Sequence, residues 1–239
     1  MNIQNAHNNQ IKYFTLFGER NSGTTYLEKL LKNMLKLEFT NEYGFKHWYI
    51  KGVEPRGIGN TTTDNQCIKN IKENTYTLFV VIVRNVYDWV GAMYKTPHHI
   101  KEMDRTSQLN FVKNKYISYE YRCKPKHNRY SKTPWHINRN HKHPYFIEEA
   151  SNIIELRNMK NKHFYNLQNY IKNYFLIRQE HLHEDLQRMI KNYNLQYNFL
   201  KLPSDYRPPL KYLLDQQTKD FINKNLNNKI DNEYYNIIK

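Results

Sequence analysis

Cysteine is scarce in this 239-residue chain: only Cys67 and Cys123 are present. Two cysteines are too few for a disulfide scaffold, and they lack the paired spacing of a zinc ribbon or redox motif, so a reducing compartment is expected. Long apolar runs are missing as well. The longest, around residues 78–83, falls far short of the ~20 residues that span a bilayer. Residues 1–10 are polar, with no apolar stretch of the kind a secretory leader carries. These absences predict a cytoplasmic chain with no membrane segment. Acidic residues are in deficit, with 22 Asp and Glu against 37 Lys and Arg and a formal charge of +15. That balance attracts polyanions and leaves nucleic acid, anionic glycan and phosphorylated nucleotide as partner classes, but it does not fix a fold. No segment loses its aromatics as a disordered tract would, and no internal repeat is visible.

What is present reads as one domain, residues 11–239, behind a polar tail at 1–10. Residues 11–17 are β-branched and aromatic and run into Gly18, and residues 26–35 then place apolar side chains at helical spacing. Residues 76–83 are apolar on both faces, as a central parallel strand is, and a short helix is expected over 88–94. Residues 174–177 predict a third buried strand and 183–190 the helix after it. Strands alternating with helices imply a single α/β domain with a central parallel sheet flanked by helices. Residues 121–147 carry Arg122, Lys124, Lys126, Arg129, Lys132, Arg139, Lys142 and four histidines but no acid, and so predict a basic surface insertion. Long loops of this kind are often functional.

The chemistry concentrates in Gly18-Glu19-Arg20-Asn21-Ser22-Gly23-Thr24-Thr25, two glycines at phosphate-loop separation between a strand and a helix. Glycines let backbone N–H groups converge on an anion, and the helix N-terminus adds unsatisfied donors and positive field. The lysine that would follow the second glycine and reach the outer phosphates of a nucleoside triphosphate is absent, and Thr24 stands in its place. That argues against an ATPase or kinase.

The run Arg20-Asn21-Ser22-Gly23-Thr24-Thr25-Tyr26 resembles the 5′-phosphosulfate loop of sulfotransferases that use 3′-phosphoadenosine-5′-phosphosulfate (PAPS). The resemblance implies a P-loop-like α/β architecture, a donor site at these seven residues and no metal. The family's usual basic residue before Ser-Gly-Thr-Thr is here Asn21, with Arg20 one place earlier. A second family segment, which binds the 3′-phosphate, is similar to Arg84-Asn85-Val86-Tyr87-Asp88 and its continuation to Ala92. Arg84, Asn85 and Asp88 are kept, while the family's Pro is Val86 and its phosphate-binding Ser is Ala92. A weaker echo of the family's Arg-Tyr-Glu-Asp-Leu is Arg178 to Leu182, and Arg207 and Lys211 are candidates for its C-terminal basic loop.

Sulfuryl transfer needs in-line placement, cations on the departing phosphate and a base for the acceptor proton. The family's Lys-X-His segment is similar to Phe45-Lys46-His47-Trp48, which implies His47 as base with Lys46 and Arg20 as the other catalytic residues. On a strand, Lys46 and His47 would point to opposite faces. His98 and His99, after Pro97, resemble a substrate-side loop and are the rival source of a base. His136, His141 and His143 lack carboxylate or thiol partners at ligand spacing, so no metal site is expected. The acceptor expected is a hydroxyl or amine on a small molecule or a glycan, anionic acceptors included. Three competing readings stand beside this one. They are a P-loop kinase of nucleotides or small molecules, a nucleic-acid-binding protein using the basic insertion, and a family member that keeps adenosine 3′,5′-bisphosphate binding without transfer. Oligomeric state is not legible.

Overall fold

The structure, a computed structural model, describes residues 11–44, 46–47, 49–50, 65–97, 105–120, 146–198 and 211–236. Its centre is a four-stranded parallel sheet of β1 (Tyr13–Gly18), β2 (Glu38–Phe39), β3 (Thr77–Val83) and β6 (Tyr174–Arg178), in the order β2-β1-β3-β6. Every residue of β3 is buried, which is why its sequence is an unbroken apolar run rather than an alternation.

The pleat still divides β3 between two layers. Leu78, Val80 and Ile82 face a cluster containing Leu27, Leu30 and Leu31 of α1 (Thr24–Met34) and Leu186, Met189 and Ile190 of α6 (Leu182–Tyr193). Phe79, Val81 and Val83 face the other way. They pack against Ile71 of α2 (Asn65–Glu73), Phe164 of α5 (Ile153–Asn166) and Tyr234 of α8 (Asn228–Asn236). A third cluster gathers α3 (Val86–Lys95), α4 (Gln108–Lys113) and α7 (Gln216–Asn225) around Trp89 and Phe111. The expected α/β domain with a flanked parallel sheet is therefore present.

Two expectations change in detail. The helix expected over 88–94 begins at Val86, because the Asn85 side chain accepts from the Tyr87 N–H at 3.0 Å and caps it. The basic insertion expected to run to residue 147 ends earlier. Phe146 and Ile147 belong to β5 (Phe146–Ala150), which pairs antiparallel with β4 (Tyr116–Glu120), and residues 121–145 lie outside the described residues. The basic run is thus the connection between two strands of a separate ribbon. Among the described residues no helix is long and apolar enough to cross a membrane.

The end of β6 is fixed by a buried ion cluster. Asp185, fully buried on α6, accepts from the Arg178 backbone N–H at 2.8 Å and from its Nε and Nη2 at 3.0 and 2.8 Å, while Arg188 adds a contact at 2.6 Å. Arg178 is thereby committed to the strand-to-helix junction. Asp185→Ala would strand a buried guanidinium, and the expected loss is about 3–5 kcal/mol of unfolding free energy in urea titration.

Candidate functional site

The chain leaves β1 for β2 on one side and leaves β3 for β6 on the other, so the strand order reverses between β1 and β3. In open parallel sheets, ligand crevices form at such a reversal, beyond the carboxyl ends of the strands. Here those ends carry loop 18–25 after β1 and Arg84-Asn85 after β3.

The loop is a tight turn into α1. Asn21 and Gly23 both adopt positive φ, 59° and 92°. Asn tolerates that conformation and Gly is free in it. Ser22 turns inward, its hydroxyl donating to the Glu19 carbonyl. Gly23 is the residue before α1, with no side chain capping the helix and no acid in its first turn, so the first amides and their positive field remain available. A Cβ on Gly23 would lie 2.8 Å from Gln179 Nε2, the movable end of a side chain, so it is the positive φ that disfavours any other residue there. Thr24 is buried and Thr25 exposed, while Tyr26 packs partly against the core.

Lys46 and His47 form a turn, not a strand, and the turn is stitched to the loop. Gly18 N–H donates to the Lys46 carbonyl at 2.8 Å, and the His47 Nδ1 lies 3.0 Å from the Gly18 carbonyl. Lys46 Nζ reaches Thr25 Oγ1 at 3.2 Å and Glu28 Oε2 at 3.0 Å. The alternation that would have separated the two side chains therefore does not apply, and both lie against the loop. Because a carbonyl can only accept, His47 carries its proton on Nδ1, which leaves the lone pair on Nε2. Burial pushes the His47 pKa well below its ordinary value, as do the Arg20 charge and, more weakly, Lys46 and Lys160, against the opposing hydrogen bond to Gly18. The imidazole is neutral at physiological pH.

Behind the loop, Lys160 of α5 is fully buried. Its ammonium donates to the His47 carbonyl at 2.6 Å and pairs with Glu19 Oε1 at 3.1 Å. One turn along, His163 Nε2 accepts from the Ile50 N–H at 3.2 Å. One turn back, Arg157 donates to the Arg84 carbonyl and pairs with Asp231, both at 2.7 Å.

The remaining expected residues divide. Arg20 is buried, 1% exposed, with its carbonyl held by Trp89 Nε1 at 2.8 Å. Arg84 Nη1 donates to the Asn21 carbonyl at 2.9 Å, which brings the two expected phosphate segments into contact. The Asn21 side chain faces away, donating to the Thr96 carbonyl at 2.9 Å. Asp88 accepts from the Tyr212 N–H at 3.2 Å, and the Tyr212 ring lies 5.7 Å from the Arg84 guanidinium and over Gly91, where any side chain would collide with it. Asp88 thus anchors residues 211–212, including exposed Lys211, beside Arg84. Ala92 is buried. Phe45, Trp48, His98, His99, His136, His141, His143 and Arg207 lie outside the described residues. Among the described residues no cluster of three or more His, Cys, Asp or Glu could hold a metal ion.

Sequence reasoning missed Glu19, although it lies inside the motif, and it missed Arg157, Lys160 and His163. The available signal was their spacing of three on one helix, which puts basic side chains on an otherwise core-facing side. Compared with models of protein families, with curated proteins and with solved structures, the chain matches none, so its own residues carry the functional argument.

His163 is held neutral by burial and, secondarily, by the Lys160 charge, which together depress its pKa from 6.5 to about 3. Above the ordinary value both folded and unfolded states are neutral and stability is complete. Below it the unfolded chain takes up a proton that the folded chain refuses. Stability should therefore fall by about 1.4 kcal/mol per pH unit below 6.5 for His163, and His47 adds in the same direction. Urea unfolding at pH 7.5 and 5.5 measures this drop, and His163→Gln should shrink it by about 1.4 kcal/mol.

Proposed function

We propose that this protein is a sulfotransferase that moves the sulfuryl group of PAPS to a hydroxyl or amine acceptor. The observation that carries the proposal is the turn at Lys46 and His47. It brings an ammonium group and a neutral imidazole to the two ends of one loop, beside an uncapped helix N-terminus. Such a site offers cations and N–H donors to an anion and a base to a neutral nucleophile. Arg84 rather than a carboxylate stands at the end of β3, and the nearby acids are engaged, Glu19 with Lys160 and Glu180 with the Asn85 N–H. That surrounding suits a multiply charged nucleotide.

In this reading the amides of Gly23, Thr24 and Thr25, with Lys46, hold the 5′-phosphosulfate, while the Ser22 N–H donates to the Glu19 carbonyl at 3.2 Å and shapes the turn. Arg20 contributes positive field from beneath, and Tyr26 lies on the helix side of the loop. Arg84, with Lys211 beside it, holds the 3′-phosphate, and Asn21 and Asp88 keep the segments in place by their bonds to Thr96 and Tyr212. His47 Nε2 takes the proton as the acceptor oxygen or nitrogen bonds to sulfur. The bond from sulfur to the 5′-phosphate oxygen breaks, and adenosine 3′,5′-bisphosphate leaves with the negative charge. His98 and His99 are proposed to line the acceptor side.

Lys46 also favours a second reading. It supplies from another segment the cation missing after Gly23, and a small-molecule kinase would use it on a transferred phosphate. Calorimetry separates the two. Stoichiometric binding of adenosine 3′,5′-bisphosphate, with weak binding of ATP and Mg²⁺, is the expected result, and the converse would establish the kinase. Arg84→Ala should weaken the bisphosphate at least about tenfold, since a charge-assisted hydrogen bond is worth about 1.5–3 kcal/mol. His47→Ala should lower turnover by about 10²–10⁴ and leave bisphosphate binding in place.

A further inference from the structure

The placement of His47 against the loop is maintained by groups outside the motif. Lys160 has no solvent contact, and its ammonium engages two acceptors that belong to different segments. One is the carbonyl of His47 itself, at 2.6 Å, and the other is Glu19, the first residue after β1, at 3.1 Å. The Tyr49 ring closes the pocket 5.2 Å from the nitrogen. A buried ion pair is a poor means of adding stability, because desolvation of both charges offsets most of their attraction and an apolar pair of similar volume would serve as well. What an apolar pair cannot do is direct a donor at one particular carbonyl.

We propose that Lys160 is a positioning residue for the reaction: by tying the His47 backbone to Glu19 it fixes the imidazole over the loop with Nδ1 on the Gly18 carbonyl and Nε2 toward the acceptor. The inference rests on His47 being the base of the proposed transfer. The geometry has the form of a clamp. Residues 46–50 are gripped at His47 by Lys160 and at Ile50 by His163, two side chains three residues apart on α5, while Gly18 holds the opposite edge through its N–H and its carbonyl. Release of the Lys160 end leaves the ring free to turn about the Ile50 anchor. The charged groups around the imidazole are Arg20 beneath the loop, Lys46 beside it and Lys160 behind it, with Glu19 paired to Lys160 and Glu28 paired to Lys46. Loss of the Lys160 charge therefore also moves the imidazole titration upward.

The test uses the full chain with Lys160→Met and with the double variant Lys160→Met, Glu19→Gln, which avoids leaving a buried carboxylate unpaired if the single variant fails to fold. Two readouts are taken on the folded protein, namely the His47 ring signals across pH by NMR, assigned with His47→Asn, and turnover with PAPS across pH. The expected result is loss of the exchange-protected Nδ1–H signal and turnover reduced at least tenfold in both variants, with the titration midpoint moved up in the single variant, where one cation is lost and burial still holds the imidazole below its ordinary value. A folded double variant in which the Nδ1–H signal, the midpoint and the turnover are all unchanged would overturn the proposal. The NMR readout stands apart from the sulfotransferase reading, whose own failure would show as absence of bisphosphate binding by the wild-type chain. A moved midpoint with unchanged turnover would likewise reject Lys160 as a positioning residue for the reaction.

Discussion

The site hangs on one helix face that breaks the usual pattern for helices packed on a sheet. Instead of presenting only apolar side chains, α5 buries Arg157, Lys160 and His163 at successive turns, together with Leu156 and Phe164. Each of the three polar groups bonds to a different piece of backbone: the Arg84 carbonyl after β3, the His47 carbonyl, and the Ile50 N–H. Backbone that leaves a parallel sheet carries polar groups that must be satisfied away from water. Side chains long enough to reach them from the covering layer do this while holding the loops at fixed spacing. The cost is the desolvation of two cations, offset by Asp231 and Glu19 respectively.

From that constraint the electrostatics around the loop follow. Of the carboxylates near the loops, Glu19 and Glu28 pair with Lys160 and Lys46, and Glu180 and Asp88 accept from the Asn85 and Tyr212 N–H groups, while the carbonyls of Asn21, Gly18 and Arg84 are occupied by Arg84, His47 and Arg157. With oxygens consumed in this way, what this end of the sheet still offers is the start of α1, with Lys46 beside it and paired to Glu28. In the proposed reading this arrangement gives selectivity for negative charge, whereas the chain's overall excess of lysine and arginine only raises the local concentration of anions.

Much of the sheet could be read from the sequence, because β1, β3 and β6 are long enough, or apolar enough on both faces, for their pattern to decide the matter. The loop motif and Arg84 were also legible, since glycine spacing and a cation at a strand end are local signals. Three kinds of feature were not. Strand β2 has only two residues and pairs with β1 through contacts made after α1, so no period could reveal it. The ribbon of β4 and β5 is closed by pairing across a long basic insertion, a non-local event that composition alone read as surface. Arg178 matched a motif and yet serves a buried ion cluster with Asp185, a pairing visible only once β6 and α6 are packed together.

The absence of a lysine after Gly23 argues from the sequence against a kinase, and the position of Lys46 bears on that argument. A lysine at residue 24 would project from the first turn of α1, its position set by the helix alone. Lys46 instead reaches the same helix end from a turn that is itself held by Gly18, and it is balanced between Thr25 and Glu28. Its location therefore depends on how the 46–50 segment is gripped, and hence on α5. The cation and the imidazole are carried by adjacent residues on one short support, so any displacement of that support moves both together. In this molecule the integrity of the core layer and the geometry of the proposed chemistry are therefore the same physical quantity, read at two ends of Lys160.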